Sequence, residues 1–150
     1  MTEVKGIDIS SRMIEAAIRK TGEGNIKNVG FMQSTLFDER LKRESYDVIL
    51  AFNILHFFKD TNEVIKRLYE LLKPGGFVIS VTACIGEMSL SGVLQYMFFS
   101  PFIKLGVIPY IKFLKTSELE RLMTDINLRI IETERLNNSP TNYFIVAKKV

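Results

Sequence analysis

The chain has 150 residues, which is enough for one domain with a hydrophobic core and too few for two ordinary domains. Hydrophobic residues make up 47% and charged residues 25%, a composition that excludes an intrinsically disordered chain. The net charge of +3 comes from 20 basic and 17 acidic residues mixed along the sequence. Nucleic-acid binding usually requires a concentrated basic surface, so we expect no nucleic-acid partner.

The cysteine and histidine content indicates which cellular compartment suits the protein and whether it could bind a metal ion. Cys84 is the only cysteine and cannot form a disulfide within the chain, and the first ten residues show no basic segment followed by an apolar run. Both features suit a cytoplasmic protein, and Cys84 is expected to be a small buried apolar residue. One histidine and one cysteine far apart in sequence lack the spacing of metal ligands, so no metal site is predicted.

The first third of the chain alternates strand and helix. Short apolar runs with β-branched residues predict strands at 4–9 and 29–33. Between them, apolar residues recur at helical spacing after a serine cap, which predicts a helix from 11 to about 20 and a loop at 22–28. The charged stretch 38–45 is predicted to form a short exposed helix.

The middle of the chain continues this alternation. Residues 46–52 are apolar apart from one acid, which predicts a strand buried on both faces. Asp60 and Glu63 have capping-box spacing before an apolar helical stripe. The sequence Lys-Pro-Gly-Gly at 73–76 ends that helix, because glycine adopts the left-handed conformation and proline cannot continue a helix. A further strand is predicted at 77–82.

The last part of the chain holds one helix and two strands. Ser117 with Glu120 predicts the start of a helix that runs to about residue 125. Two strands follow at 129–134 and 143–148, and their short polar connection predicts that they are antiparallel. The whole order predicts an α/β fold with a mostly parallel sheet and an antiparallel pair at its end.

Several of these segments resemble the class I S-adenosylmethionine-dependent methyltransferase family. The sequence YDVILAFNILH at 46–56 is similar to the family's fourth strand and the loop after it, and LLKPGGFVI at 71–79 is similar to the entry to its fifth strand. The sequence GIDIS at 6–10, with Met13, resembles the second strand and its acidic tip. The resemblance implies a Rossmann-like fold, S-adenosylmethionine as cofactor and a small-molecule methyl acceptor.

The family's first strand and its glycine-rich turn have no counterpart in these 150 residues. The Gly-Glu-Gly sequence at 22–24 follows a predicted helix, whereas a cofactor-binding turn follows a strand and opens a helix. We therefore interpret 1–150 as one partial methyltransferase domain and expect it to bind S-adenosylmethionine weakly or not at all. Since ladder groups are rarely left unpaired, either 4–9 and 46–52 pair directly or a missing segment or second chain lies between them.

The resemblance also implies roles in cofactor binding for five residues. Asp8, near the carboxyl end of a strand, would accept hydrogen bonds from the ribose hydroxyls, as acids do at such strand ends. Ile9 and Met13 would flank the adenine, and Thr35 and Leu36 would line it. Taken alone, Asp8 could equally be a turn acid or a helix cap. Ile9 and Met13 could be core residues, and Thr35 and Leu36 could simply mark the exit from a strand.

Phe52, Asn53 and His56 belong to the predicted end of the fourth family strand. The resemblance places Phe52 and Asn53 at the mouth of the cofactor pocket, where Asn53 could donate and accept hydrogen bonds or cap its own turn. His56 has a pKa suited to a general base, or it could pack under the loop. The strand ends are expected to form one crevice shared by Asp8 and Asn53.

The apolar insert, residues 85–114, follows the predicted fifth family strand. Charged residues and prolines interrupt it, so it does not match a membrane span. It could close the core, form a homodimer face, cover an apolar or aromatic acceptor, or contact a membrane surface.

We therefore expect a methyltransferase that acts on a small, possibly lipophilic or aromatic acceptor. The alternative is a non-catalytic, truncated methyltransferase-like subunit or binding module.

Overall fold

The computed structural model describes residues 3–87, 110–136 and 141–150. The chain divides into two compact units, a first unit of Met1–Leu41 and a second unit of Lys42–Val150. The strands and helices of the described residues are, in chain order, β1 (Val4–Asp8), α1 (Ser11–Glu23), β2 (Val29–Gln33), β3 (Tyr46–Phe52), α2 (Thr61–Leu71), β4 (Leu72–Cys84), α3 (Thr116–Thr124), β5 (Leu128–Arg135) and β6 (Thr141–Lys149). Two short 3-10 helices, Leu55–Phe57 and Ile85–Glu87, follow β3 and β4.

The first unit is a strand–helix–strand motif. β1 and β2 form a parallel pair in which Val4 lies opposite Val29 and Asp8 opposite Gln33. The Oγ atom of Ser10 accepts a hydrogen bond from the N–H of Met13 and so caps α1, as predicted. The helix is longer than predicted and includes Gly22, so the predicted loop at 22–28 begins too early.

The predicted helix at 38–45 is wrong, because the chain forms turns there. The Oδ1 atom of Asp38 accepts a hydrogen bond from the N–H of Arg40 at 2.9 Å. An aspartate that binds a backbone N–H two residues later stabilises a turn at the expense of a helix.

The second unit contains a four-stranded sheet in the order β3-β4-β6-β5. β3 and β4 are parallel, whereas β6 is antiparallel to both β4 and β5. A parallel βαβ pair followed by an antiparallel pair confirms the predicted α/β class and the antiparallel end of the sheet.

Direct pairing of 4–9 with 46–52 stays a prediction for the part of the chain that the structure describes. There, β1 has its ladder in β2 and β3 has its ladder in β4, within separate sheets. The alternative that another segment or chain pairs with these strands stays a prediction.

The core of the second unit lies on one face of the four-stranded sheet. α2 packs on β4 and α3 packs on β5, and this face includes the fully buried residues Val78 and Ile145. β3 is not buried on both faces as predicted: Ala51 is 4% exposed, whereas Val48 is 48% and Leu50 57% exposed. Successive side chains of a strand point to opposite faces of the sheet, so Ala51 lies on the covered face, whereas Val48 and Leu50 lie on the other face, which the described residues leave exposed.

The boundaries of α2 follow the predicted signals. The Oδ1 atom of Asp60 accepts a hydrogen bond from the N–H of Glu63 at 3.0 Å, and the helix ends at Leu71 before the predicted Lys-Pro-Gly-Gly sequence. Gly75 adopts the left-handed conformation with a φ of 79°. β4 then begins at Leu72, five residues earlier than predicted.

α3 begins one residue before the predicted start. No side chain at its N-cap position, Lys115, caps the helix. The Oε1 atom of Glu87 instead accepts a hydrogen bond from the N–H of Thr116 at 3.1 Å. The start predicted at Ser117 is one residue late because a carboxylate from a distant part of the sequence caps the helix.

Most of the apolar insert, residues 88–109, and the polar connection 137–140 lie outside the described residues. Among the residues that are described, no helix is both long and apolar enough to cross a membrane.

Candidate functional site

Asp8 is the last residue of β1, and one of its two carboxylate oxygens accepts a hydrogen bond from the protein. Its Oδ1 atom accepts a hydrogen bond from the N–H of Ser10 at 2.8 Å, as a turn acid would. Within the described ranges, no protein group binds its Oδ2 atom. Asp8 can therefore support its own turn and still accept a hydrogen bond from a ligand hydroxyl.

Ile9 and Met13 present apolar surface to solvent close to Asp8 in sequence. Ile9 is 72% exposed and Met13 59% exposed. The interpretation of these two residues as core residues is therefore wrong. Exposed apolar side chains close in sequence to a carboxylate are of the kind that a nucleoside base and its sugar could cover.

The loop that carries Thr35 and Leu36 is held by an ion pair that sequence reasoning missed. The Oγ atom of Ser34 donates to Asp38 Oδ2 at 2.9 Å, and Arg40 donates from Nε and Nη2 to the two carboxylate oxygens at 2.9 and 2.7 Å. The hydrogen bonds from Arg40 are the largest cause that lowers the pKa of Asp38 far below its ordinary value. An aspartate and an arginine two residues apart are the sequence feature that could have predicted this ion pair.

In the second unit, Phe52 and Asn53 mark the carboxyl end of β3. Phe52 is 52% exposed, and Asn53 is exposed with a φ of 52°. The N–H of Asn53 donates to the carbonyl of Val81 at 2.8 Å, which continues the ladder to β4. Asparagine is among the few residues that adopt the left-handed region readily, and its side chain leaves the strand towards solvent.

His56 lies in the 3-10 helix after β3 and is 6% exposed. Burial lowers its pKa, so the imidazole is neutral at pH 7. No group in the described part of the chain binds its Nδ1 atom. Its backbone carbonyl accepts a hydrogen bond from the N–H of Lys112 at 2.8 Å. The packed position matches one of the two sequence interpretations, while the unbound nitrogen retains the capacity to accept a proton.

Cys84 is fully buried at the end of β4, as predicted. Burial raises the pKa of its thiol to about 12. The thiol therefore stays protonated near neutral pH and is a poor nucleophile.

The predicted site residues fall into two sets. Asp8, Ile9, Met13, Thr35 and Leu36 belong to the first unit, whereas Phe52, Asn53 and His56 belong to the second. A crevice shared by the two sets stays a prediction.

A family profile described as a methyltransferase domain matches residues 2–78, which is more than half of the chain. The chain belongs to the methyltransferase domain family. The matched range includes both sets of predicted site residues, so the family resemblance and the exposed strand ends concern the same part of the sequence.

Curated relatives of this methyltransferase domain include ubiquinone biosynthesis O-methyltransferases from several Rickettsia species. The protein from Rickettsia bellii is 26% identical over 160 residues, which cover 97% of this chain and 66% of the relative. The chain thus spans just under two thirds of the length of that relative.

Solved structures with the same fold include methyltransferases from a bacterium and an archaeon. Geranyl diphosphate C-methyltransferase from Streptomyces coelicolor A3(2) superposes with a TM-score of 0.77 and 15% identity, and the match covers 99% of this chain and 63% of that one. A S-adenosylmethionine-dependent methyltransferase from Methanosarcina mazei gives a TM-score of 0.73 with 21% identity and covers 99% and 82%. At these identities the likeness concerns the fold.

Proposed function

We propose that this domain belongs to an enzyme that transfers a methyl group from S-adenosylmethionine to a small molecule. The observation that carries the proposal is the end of β1, where one carboxylate oxygen of Asp8 binds the Ser10 N–H and the exposed residues Ile9 and Met13 follow within five positions of the chain. The family membership supports the same activity.

The residues of the first unit fit the nucleoside end of S-adenosylmethionine. A ribose offers two adjacent hydroxyl donors, which the free oxygen of Asp8 can accept. Adenine has an apolar face that can cover Ile9 and Met13, and Thr35 and Leu36 follow β2 on the loop held by the Asp38 ion pair. All of these features lie in one strand–helix–strand motif.

The residues of the second unit suit the reacting end. When bound, the cofactor supplies an electrophilic methyl group on a sulfonium sulfur, so little activation of the acceptor is required. Asn53, exposed at the end of β3, can orient an amine, a carboxylate or a hydroxyl. His56 is neutral, and its buried Nδ1 atom has no hydrogen-bond partner among the described residues, so we propose it as the group that takes the proton that the acceptor loses. Positioning of this kind supplies much of the rate in group transfer.

The acceptor proposed here is lipophilic or aromatic. The curated relatives are named for ubiquinone biosynthesis, one structural relative is named for geranyl diphosphate, and the insert at 85–114 is rich in apolar residues. From the sequence alone, we also propose that the insert contacts a membrane surface or forms a homodimer face. A cytoplasmic location is likewise proposed from the sequence alone.

The test is a titration of the ¹⁵N-labelled chain with S-adenosylmethionine, followed residue by residue by NMR. Because the sequence holds no glycine-rich turn between a strand and a helix, we expect weak, millimolar binding. The shifts should concentrate at Asp8, Ile9, Thr35 and Leu36. Asp8→Asn should abolish them.

The matched control is Asp47→Asn, which changes an exposed acid at the opposite end of a parallel strand. It should leave the titration unchanged. Shifts that ignore Asp8 would contradict the proposed site, and no shifts at millimolar cofactor would favour the non-catalytic alternative. Tight binding would instead show that the glycine-rich turn is dispensable for this chain.

A further inference from the structure

The two chain segments on either side of residues 88–109 are joined by hydrogen bonds. The N–H of Gly86 donates to the carbonyl of Leu114 at 3.0 Å. The Oε1 atom of Glu87 accepts hydrogen bonds from both the N–H and the Oγ1 of Thr116. Residues 86–87 and 114–116 are therefore held against each other although they are far apart in sequence.

Arg135 of β5 closes this arrangement. Its Nη1 atom donates to Glu87 Oε2 at 2.7 Å, and its Nη2 atom donates to Thr116 Oγ1 at 3.3 Å. The hydrogen bonds from Thr116, first among the causes, together with Arg135, lower the pKa of Glu87, so this carboxylate is charged at neutral pH. We call Glu87, Thr116 and Arg135 the clasp.

The clasp is tightly packed around residues 114–116. Leu114 is fully buried and Thr116 is 5% exposed. A Cβ atom at Gly86 would lie 2.9 Å from Lys115 Cγ and 3.0 Å from the Leu114 carbonyl oxygen. The segment therefore has little room to shift while the clasp is closed.

From the clasp, backbone hydrogen bonds lead directly to His56. The N–H of Leu114 donates to the carbonyl of Lys112 at 3.0 Å, and the N–H of Lys112 donates to the carbonyl of His56 at 2.8 Å. Residues 112–116 thus connect Glu87 to the 3-10 helix that holds the imidazole.

We propose that Glu87 is a positioning residue for His56, and that the clasp keeps the imidazole buried through residues 112–116. The catalytic role of His56 rests on the proposed function, but the coupling can be tested without cofactor or acceptor. Loss of the clasp frees residues 112–116, admits water beside the imidazole and so alters its titration.

The experiment uses His56 as a reporter, because it is the only histidine and gives one imidazole signal. The ¹³Cε1–¹Hε1 resonance is followed from pH 4.5 to 8 in the full chain. In Glu87→Ala, the titration midpoint should rise towards the ordinary histidine value. In Glu87→Gln, which keeps an oxygen acceptor for Thr116, it should return most of the way to that of the unaltered chain.

The matched control is Glu70→Ala, which removes an acid paired with Arg43 and Arg67 in the same unit. It should leave the midpoint unchanged. If Glu87→Ala does not fold, Thr116→Val, which removes the hydroxyl that binds Glu87 and Arg135 at nearly unchanged volume, should raise the midpoint in the same direction by a smaller amount. A midpoint unchanged in the folded variant, with only thermal stability reduced, would overturn the proposal. A shifted midpoint with no methyl transfer would support the coupling and reject the catalytic role.

Discussion

The two units of the chain differ sharply in how much of their surface is buried. Among the described residues, Leu41 is the single buried hydrophobic side chain of the first unit, and α1 has no buried residue. The second unit contains the remaining buried hydrophobic residues, from Ala51 to Ala147. A two-stranded sheet is marginally stable by itself, whereas a four-stranded sheet covered by helices forms a core.

Stability and the proposed nucleoside binding are thus assigned to different parts of this chain. The second unit supplies the free energy of folding, because it removes the larger apolar surface from water. The first unit keeps Ile9 and Met13 accessible, and under the proposed function it would gain stability from a ligand that covers them.

The largest expected difference between the two units is the loss of stability when one isoleucine in each is replaced by alanine. Ile145 is fully buried in β6, and Ile145→Ala should lower the free energy of unfolding by about 2–5 kcal/mol. Ile9 is 72% exposed, and Ile9→Ala should change it by no more than about 0.5 kcal/mol. Urea unfolding followed by circular dichroism measures both values. Equal losses in the two variants would contradict the comparison.

A buried lysine gives the next largest effect. The ammonium of Lys149 donates to the carbonyls of Leu72 at 2.8 Å and Tyr69 at 3.1 Å, at the end of α2. Lys149→Met leaves these buried acceptors without their donor and should cost about 1–3 kcal/mol in urea unfolding. Lys20→Met, in the exposed last turn of α1, is the control and should be nearly neutral. A neutral Lys149→Met would show that water replaces the ammonium.

Two glycines should give effects of opposite sign. Gly75 has a φ of 79°, and Gly75→Ala should destabilise the chain by about 1–2 kcal/mol. Gly22 lies in the last turn of α1, where an added Cβ would meet nothing within 4 Å. Gly22→Ala should stabilise the first unit by about 0.4–1 kcal/mol. Thermal melting distinguishes the signs, and a stabilising Gly75→Ala would refute the assigned turn.

The smallest effect is a difference in the response of the two units to acid. The lowered pKa of His56 means that the unfolded chain binds a proton more readily. Its contribution to the stability of the second unit is complete above the ordinary value of 6.5 and is lost progressively as the pH falls below it. Asp38 also has a lowered pKa, so its contribution to the first unit is lost only below its ordinary value of 3.8.

Urea midpoints between pH 4.5 and 8 measure this response, and His56→Gln should remove the dependence near pH 6. If the urea midpoint still depends on pH near 6 in His56→Gln, another group takes up the proton.

Local sequence patterns predicted most of the elements but not the long-range contacts. The strands β1, β2 and β3, the helix α2 and the Gly75 turn follow from periodicity and from capping residues close in sequence. The start of α3 could not be predicted, because its cap is Glu87, 29 residues before Thr116. The turn at Asp38 was missed because its side chain competes with the helical pattern.

The roles of the site residues stay predictions, and their exposure could not be predicted from the sequence. The types and positions of Asp8 and Asn53 follow from strand ends, which a sequence shows. The burial of His56 and the exposure of β3 depend on which elements pack nearby. Nothing in the spacing of these residues reveals that packing.

Hydrogen exchange, measured residue by residue with and without S-adenosylhomocysteine, tests whether stability is concentrated in the second unit and nucleoside binding in the first. Without ligand, the amides of β1 and β2 should exchange much faster than those of β4 and β6. With ligand at ten times its Kd, exchange in β1 and at residues 34–36 should slow about tenfold, while β4 and β6 remain unchanged. Equal protection in both units without ligand, or a ligand effect confined to β4 and β6, would contradict the account.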